Sequence, residues 1–244
     1  FRRSRWLPRS RVSLESEQTN VSNLVLKTGN SQLKMNLRAE SGISDFGMET
    51  PIQLSIDGNI AGQDVLLFLP DSNDQITRWL SDKIFSLSGL VKGKVDQLNI
   101  TRFEIGATDG FSLKSEGSVS CVTDMEKMAG ELNLAFVVDR GTYFAPLLSE
   151  NGEAGFVLPD HLSLTTDVTI ANRMAKVDMK LKPGGGILHA VADFAWQEET
   201  YRAEVHWKDF ALNKFMPNDS LGTITAHLLA SGRGLDWKEM IAKV

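Results

Sequence analysis

The sequence predicts a mainly β, antiparallel-rich fold with one amphipathic helix near residues 72–86. Three observations carry this. Apolar and polar residues alternate over run after run, the period-two signature of strands with one apolar and one wet face. Turn residues separate the runs, Gly29-Asn30 and Pro183-Gly184-Gly185-Gly186 most clearly. A convincing helical period covers a single segment.

The elements follow in order. Residues 1–20 carry a basic cluster, Arg2, Arg3, Arg5, Arg9 and Arg11, and are expected to form a frayed, solvated terminus. Residues 21–86 form a first strand group. Val21–Thr28 and Gln32–Ala39 pair across Gly29-Asn30, a dipeptide suited to positive φ. Leu33, Met35, Leu37 and Ala39 share one face of the second strand. Glu40–Thr50 is a loop, Pro51–Ile60 a strand with Ile52, Leu54 and Ile56 on one side, and Asp64–Leu69 closes the group. The helix follows. Asp71, Ser72 and Asn73 are N-cap candidates, and Asp74 suits the first turn. Ile76, Leu80 and Ile84 form its stripe, widened by Trp79.

Residues 87–158 form a second group, in which Leu87–Val138 reads as four strands. Phe111, Leu113, Val119 and Cys121 share one parity; Leu132, Leu134, Phe136 and Val138 share another run. Gly93, Gly106, Gly110, Gly117 and Gly130 are expected at turns or bends. Cys121 is the sole cysteine, which excludes an intrachain disulfide, and reads as a small buried hydrophobe on a strand face. Residues 159–244 form a third group: Leu162–Ile170, Ala175–Leu181, Leu188–Trp196, Tyr201–Trp207 and Gly222–Gly232 are strands, and Trp237–Val244 begins a helix. Three apolar clusters with a proline, at 65–71, 142–148 and 209–219, each precede fresh strands. They suggest a repeating unit of several strands capped by an apolar turn.

Composition bounds the function. With 42% hydrophobic residues the chain is too apolar for disorder. A net charge of −5 argues against a general nucleic-acid partner. The longest apolar run, Val65–Pro70, is far too short to span a membrane. The chain opens without Met and without an apolar leader segment, so it is expected to be an internal section of a longer protein.

Signs of catalysis are weak. His161, His189, His206 and His227 lie on separate strands without metal-ligand spacing and read as polar-face residues. Asp160-His161 near Ser163 has triad residue types but lacks a nucleophile elbow. Gly184-Gly185-Gly186 leads into a strand and reads as a hairpin turn, not a phosphate loop. Arg233 reads as a strand-end residue, and Glu198 and Glu199 fall in a turn, which makes a carbohydrate-active enzyme a poor fit. Trp79 reads as core; Trp196 and Trp207 suit core or lipid contact alike. No catalytic residue, metal or cofactor is expected.

The apolar face needs a cover. The sheet either folds on itself as a sandwich, with faces about 10 Å apart, or curls into a trough with an open apolar lining. Exposed apolar patches beyond a few hundred Å² usually bind something. One acyl chain of about sixteen carbons gains up to ~12 kcal/mol there, before entropic losses. Periodicity alone favours the dry sandwich.

The last third shifts that balance. The Tyr201–Val205 strand (YRAEV), the Leu212–Pro217 turn (LNKFMP), the Leu221–Ala226 strand (LGTITA) and the Ser231–Asp236 ending (SGRGLD) resemble the TamB/AsmA-like family of envelope proteins. Leu90–Val95 (LVKGKV) and Asp96–Ile100 (DQLNI) follow the same pattern. The resemblance spans about residues 87–237 and includes no catalytic signature. It implies an elongated, curved antiparallel sheet, a half-pipe or β-taco with an apolar lining. It implies a periplasmic section of a Gram-negative protein, anchored in the inner membrane by a segment outside this chain. Its partners would be phospholipid or fatty acyl chains, with an outer-membrane β-barrel partner contacted by other parts of the parent protein. The lining residues expected on that basis are Leu113, Phe136, Val168, Met179, Phe194, Val205 and Ile224. The alternative is a closed β-sandwich scaffold that binds a protein client by strand addition.

Overall fold

The computed structural model describes residues 9–14, 18–69, 74–148, 156–216, 222–233 and 241–243. The fold is mainly β: an open antiparallel sheet whose strand order is the chain order. It divides into two compact units, Phe1–Thr108 with Lys114–Glu116, and Asp109–Leu113 with Gly117–Val244. The sheet is open, as the resemblance implies, and not the closed sandwich that periodicity alone favours. Each strand has its chain neighbours as its main partners, with short helical turns at the strand ends.

The first unit holds β1 (Arg9–Leu14), β2 (Thr19–Lys27), β3 (Gln32–Ala39), β4 (Pro51–Ala61), β5 (Ile84–Lys94) and β6 (Gln97–Ala107). Register explains why alternation survives across them. Leu24, Met35, Ile56, Gly89 and Phe103 stand in one cross-strand row; Val21, Leu37, Leu54, Val91 and Ile100 stand in the next. In sequence the apolar parity flips within β2 and within β6. Register shifts between Val21 and Leu24, and opposite Leu90/Val91, absorb the flips. Each is a β-bulge, in which one extra residue returns the following side chains to the same face. Asn23, in the first bulge, has φ 53°.

Short helices close one end of this unit: α1 (Gly62–Val65), a 3-10 turn (Leu66–Phe68) and α2 (Asp74–Leu80). Leu80 and Phe85 are buried, and Trp79 packs on Phe85 with ring centroids 6.0 Å apart. A Cβ on Gly62 would lie 2.0 Å from the Leu80 carbonyl oxygen, so glycine lets α2 approach α1. Asp64 is buried beneath them. Thr28 Oγ1 donates to its Oδ2 at 2.6 Å, Ser31 Oγ donates to the same oxygen, and the Ala61 amide donates to Ser31 Oγ at 2.8 Å. The buried carboxylate is thereby satisfied.

The second unit contains most of β7 (Phe111–Ser120), then β8 (Ala129–Val138), β9 (Leu162–Ala171), β10 (Met174–Lys182), β11 (Ile187–Ala195), β12 (Thr200–Ala211), β13 (Thr223–Arg233) and β14 (Ile241–Lys243). Its buried cluster is Val138, Leu162, Phe210 and Phe215. A 3-10 turn (Gly141–Phe144) running into α3 (Ala145–Leu148), and a second 3-10 turn (Leu212–Lys214), lie over it. Phe144, Leu158, Leu212 and Met216 pack on the cluster from these turns and their flanks. The proline-containing clusters of the sequence are thus short helical caps at strand ends, at 62–68, 141–148 and 212–214. Pro70 and Pro217 lie outside the described residues.

Several expectations need correction. The helix ends at Leu80, not Ser86, because Ile84 and Phe85 pair with Ala61 and Ile60 of β4. Ile84 is therefore a strand residue and is 57% exposed. Its N-cap candidates Asp71, Ser72 and Asn73 lie outside the described residues. Arg9–Leu14 is a strand paired with β2, where a frayed terminus was expected; Arg2, Arg3 and Arg5 are outside the described residues. Ile241–Lys243 pairs with β13, where a helix was expected. Cys121 follows β7 with φ 53° at a turn and is partly exposed, so it is no strand-face hydrophobe. Gly93, Gly106, Gly117 and Gly130 fall inside strands. At Gly117, φ is +145° and a Cβ would lie 2.0 Å from the Glu131 carbonyl oxygen, so this strand position requires glycine.

Candidate functional site: the apolar face of the second unit

Strand pairing assembles the apolar residues of the second unit into rows that cross six strands. Phe136, Leu164, Leu181, Leu188, Trp207 and Ala226 form one. Leu134, Thr166, Met179, Ala190, Val205 and Leu228 form the next. Leu132, Val168, Val177, Ala192, Ala203 and Ala230 form a third, and Gly130, Ile170, Ala175, Phe194, Tyr201 and Gly232 a fourth. Residues opposite one another in a ladder share a face, so these rows make one continuous apolar surface. A bulge at Lys208-Asp209 keeps it continuous: Trp207 pairs with Ala226 but Phe210 with Ile224. Asp209 takes φ 48° to allow it.

All seven expected lining residues fall on this face. Phe136, Val168, Met179, Phe194 and Val205 sit in the rows just described. Ile224 has the parity of Ala226. Leu113 has the parity of Phe111, whose ring lies 5.8 Å from Phe136 and 5.6 Å from Phe144. They divide into two environments. Phe136 and Ile224 pack against the buried cluster under the helical turns. Leu113, Val168, Met179 and Val205 remain partly exposed, and Phe194 is 36% exposed. A sealed core would bury the middle of each strand. Here the buried cluster of large apolar side chains lies at the capped end, while the mid-strand rows, Ala230 apart, stay partly accessible. The opposite face carries a shallow depression of about 370 Å³ near the same strand ends, lined mainly by Met174, Asp193, Ala195, Thr200, Arg202 and Ser231.

The other motifs resolve simply. Asp160 Oδ1 accepts from the Gly141 amide at 2.7 Å, and His161 is an exposed residue with φ 56°. They shape a turn and form no triad. The Gly184–Gly186 turn offers carbonyls: Lys214 Nζ donates to Gly184 O at 2.9 Å and Pro183 O at 3.3 Å. A phosphate loop would present amides instead. Glu198 and Glu199 are exposed turn residues and Arg233 ends β13. Trp207 packs on the buried cluster, and Trp196 follows β11 with its amide donating to Arg173 O. Trp237 lies outside the described residues.

The histidines are not scattered. His189 pairs with His206, and His206 with His227, placing three on one polar-face row of β11, β12 and β13. The His206 and His227 rings stack, with centroids 4.2 Å apart and planes 4° apart. Both donate from Nε2 to Glu204 Oε1, at 2.8 and 2.9 Å. The His206 bond, then the His227 bond, holds the Glu204 carboxyl below the usual glutamate range. His189 Nε2 turns to Asp178 Oδ1 at 2.9 Å. Chain spacing hides this row, but register reveals it. The β11–β12 hairpin turns about Gln197-Glu198, which places residue 189 opposite 206.

The fold and site thus define an open antiparallel sheet with a continuous, half-accessible apolar face capped at one end. Comparison with protein-family models, curated proteins and solved structures finds no match for this chain.

Proposed function

We propose that this chain is a non-enzymatic section of a TamB/AsmA-like envelope protein that holds lipid acyl chains on its apolar sheet face, for phospholipid transport between membranes or for outer-membrane protein assembly. The observation that carries this is the half-exposed apolar rows across β8 to β13. Acyl chains have no hydrogen-bonding demands, so a smooth surface of Leu, Val, Ala and Met suits them. The opposite face, with Lys176, Lys180, Glu204, His206 and Lys208, stays in water. On this reading the protein works in the periplasm, passively: tails lie along the rows and head groups face solvent. Mass spectrometry of an organic extract, from protein purified without detergent, tests it. Stoichiometric phospholipid or fatty acid supports the conduit; lipid-free, monodisperse protein that also refuses added fatty acid overturns it.

A second reading is favoured by the edge of β13. That strand has eleven residues and no proline, yet among the described residues β14 pairs only with Leu229, Ala230 and Ser231. Its backbone from Thr223 to Leu228 can accept a client strand. A Thr225→Pro variant that loses client capture but keeps lipid would support this role.

A further inference from the structure

We propose that Glu204, His206 and His227 form a binding site for a first-row divalent transition metal, with Zn²⁺ as the best match. The site lies on the polar face of β12 and β13, away from the apolar rows, and is independent of the lipid reading. Three features carry it. The ligand types are right: two imidazole nitrogens and one carboxylate oxygen are a common zinc donor set, and nitrogen donors select against Ca²⁺ and Mg²⁺, which prefer all-oxygen shells. The donors converge: one ligand atom from each residue lies within 4.8 Å of the other two. The frame is rigid, because His206 and His227 are directly opposite each other in the ladder and Glu204 is two residues from His206 on the same face.

The required rearrangement is confined to the three side chains. Each Nε2 now donates to Glu204 Oε1 at 2.8 or 2.9 Å. Metal–ligand bonds of ~2.0–2.1 Å in a tetrahedral shell set the ligands roughly 3.3 Å apart. An ion therefore enters by opening these contacts about half an ångström and by turning the stacked His206 and His227 rings, whose planes now lie 4° apart, until their Nε2 lone pairs converge. Each imidazole then carries its proton on Nδ1 and presents its Nε2 lone pair, and Glu204 supplies one oxygen. The three side chains are about half exposed, so a fourth position faces solvent and takes water or an exogenous ligand. His189, next in the row, is held away by Asp178 and sits beside the site as a neighbour.

The test is calorimetric titration of the chelator-treated full chain with ZnCl₂, repeated with CoCl₂ followed by visible absorption. One equivalent of Zn²⁺ should bind saturably. His206→Ala and His227→Ala should each weaken binding by at least about tenfold, while His161→Ala, remote from the site, leaves it unchanged. Co²⁺ should give ligand-field bands that vanish in the His206→Ala/His227→Ala double variant, and Zn²⁺ should raise the melting temperature of the parent chain but not of that variant. Far-UV circular dichroism confirms that the variants are folded. Wild-type affinity no greater than that of the double variant, or an equal loss in His161→Ala, overturns the proposal.

Discussion

The two ends of the strands in the second unit carry the same kind of apolar residue and meet different fates. Val138 and Leu162 face each other under the helical turns and are 0% and 4% exposed. Leu132 and Val168, opposite each other further along the same two strands and on the same face, stay partly exposed. Alternation sets the face a residue occupies; a covering element decides whether that face becomes core. Among the described residues, the apolar proline clusters of this unit supply the cover at the capped end.

The comparison can be broken most directly at its capped end. Phe210→Ala removes a ring stacked on Phe215 at 5.4 Å in the buried cluster, and should cost about 3–5 kcal/mol in chemical denaturation. Within one residue type, Leu162→Ala should cost about 2–5 kcal/mol, but Leu132→Ala, already partly wet, only about 1 kcal/mol. Equal losses would mean that the open rows are sealed after all. In the first unit, Asp64→Ala leaves the hydroxyls of Thr28 and Ser31 without their shared acceptor and should cost about 1–3 kcal/mol. The smallest stability effect is expected at Met179→Arg. The arginine stem can lie along the apolar surface with its head in water, so stability should fall by less than about 1 kcal/mol, while copurifying acyl chains are lost. Unfolding of that variant would count for a closed core. Phe136→Asp is a poorer test, because Phe136 supports the cap.

Much of the fold was legible in the sequence. The five strands between Leu162 and Gly232 lie where alternation puts them, and so do the four between Leu87 and Val138. What alternation could not carry was a change of phase. The strand read as Tyr201–Trp207 runs on to Ala211, because the extra residue at Lys208-Asp209 shifts Phe210 back to the apolar face. The signal was present, as an apolar run whose parity flips across a short polar step, at Asn23, near Thr101 and at Asp209. The helix was overextended for a related reason: Ile84 fits both a four-residue stripe and a two-residue alternation, and pairing with β4 decided between them. That the seven residues expected as a lining share one face was legible, since parity is local information. That Phe136 and Ile224 sit beneath a cap was not, because the caps come from distant chain. The histidine row was missed by reading spacing along one strand, when its members are brought together by hairpin register.

Chain-order pairing has a kinetic side. Each strand docks onto the one made just before it, so the loops to be closed are short except where a cap intervenes, and the entropic cost of each step is small. Such a chain can be built in the direction of synthesis or translocation, one hairpin at a time, with no strand waiting for a partner from the far end. Apart from the edge at β1, the growing edge is then the part at risk of wrong pairing, and each newly added strand passes that exposure on to the next.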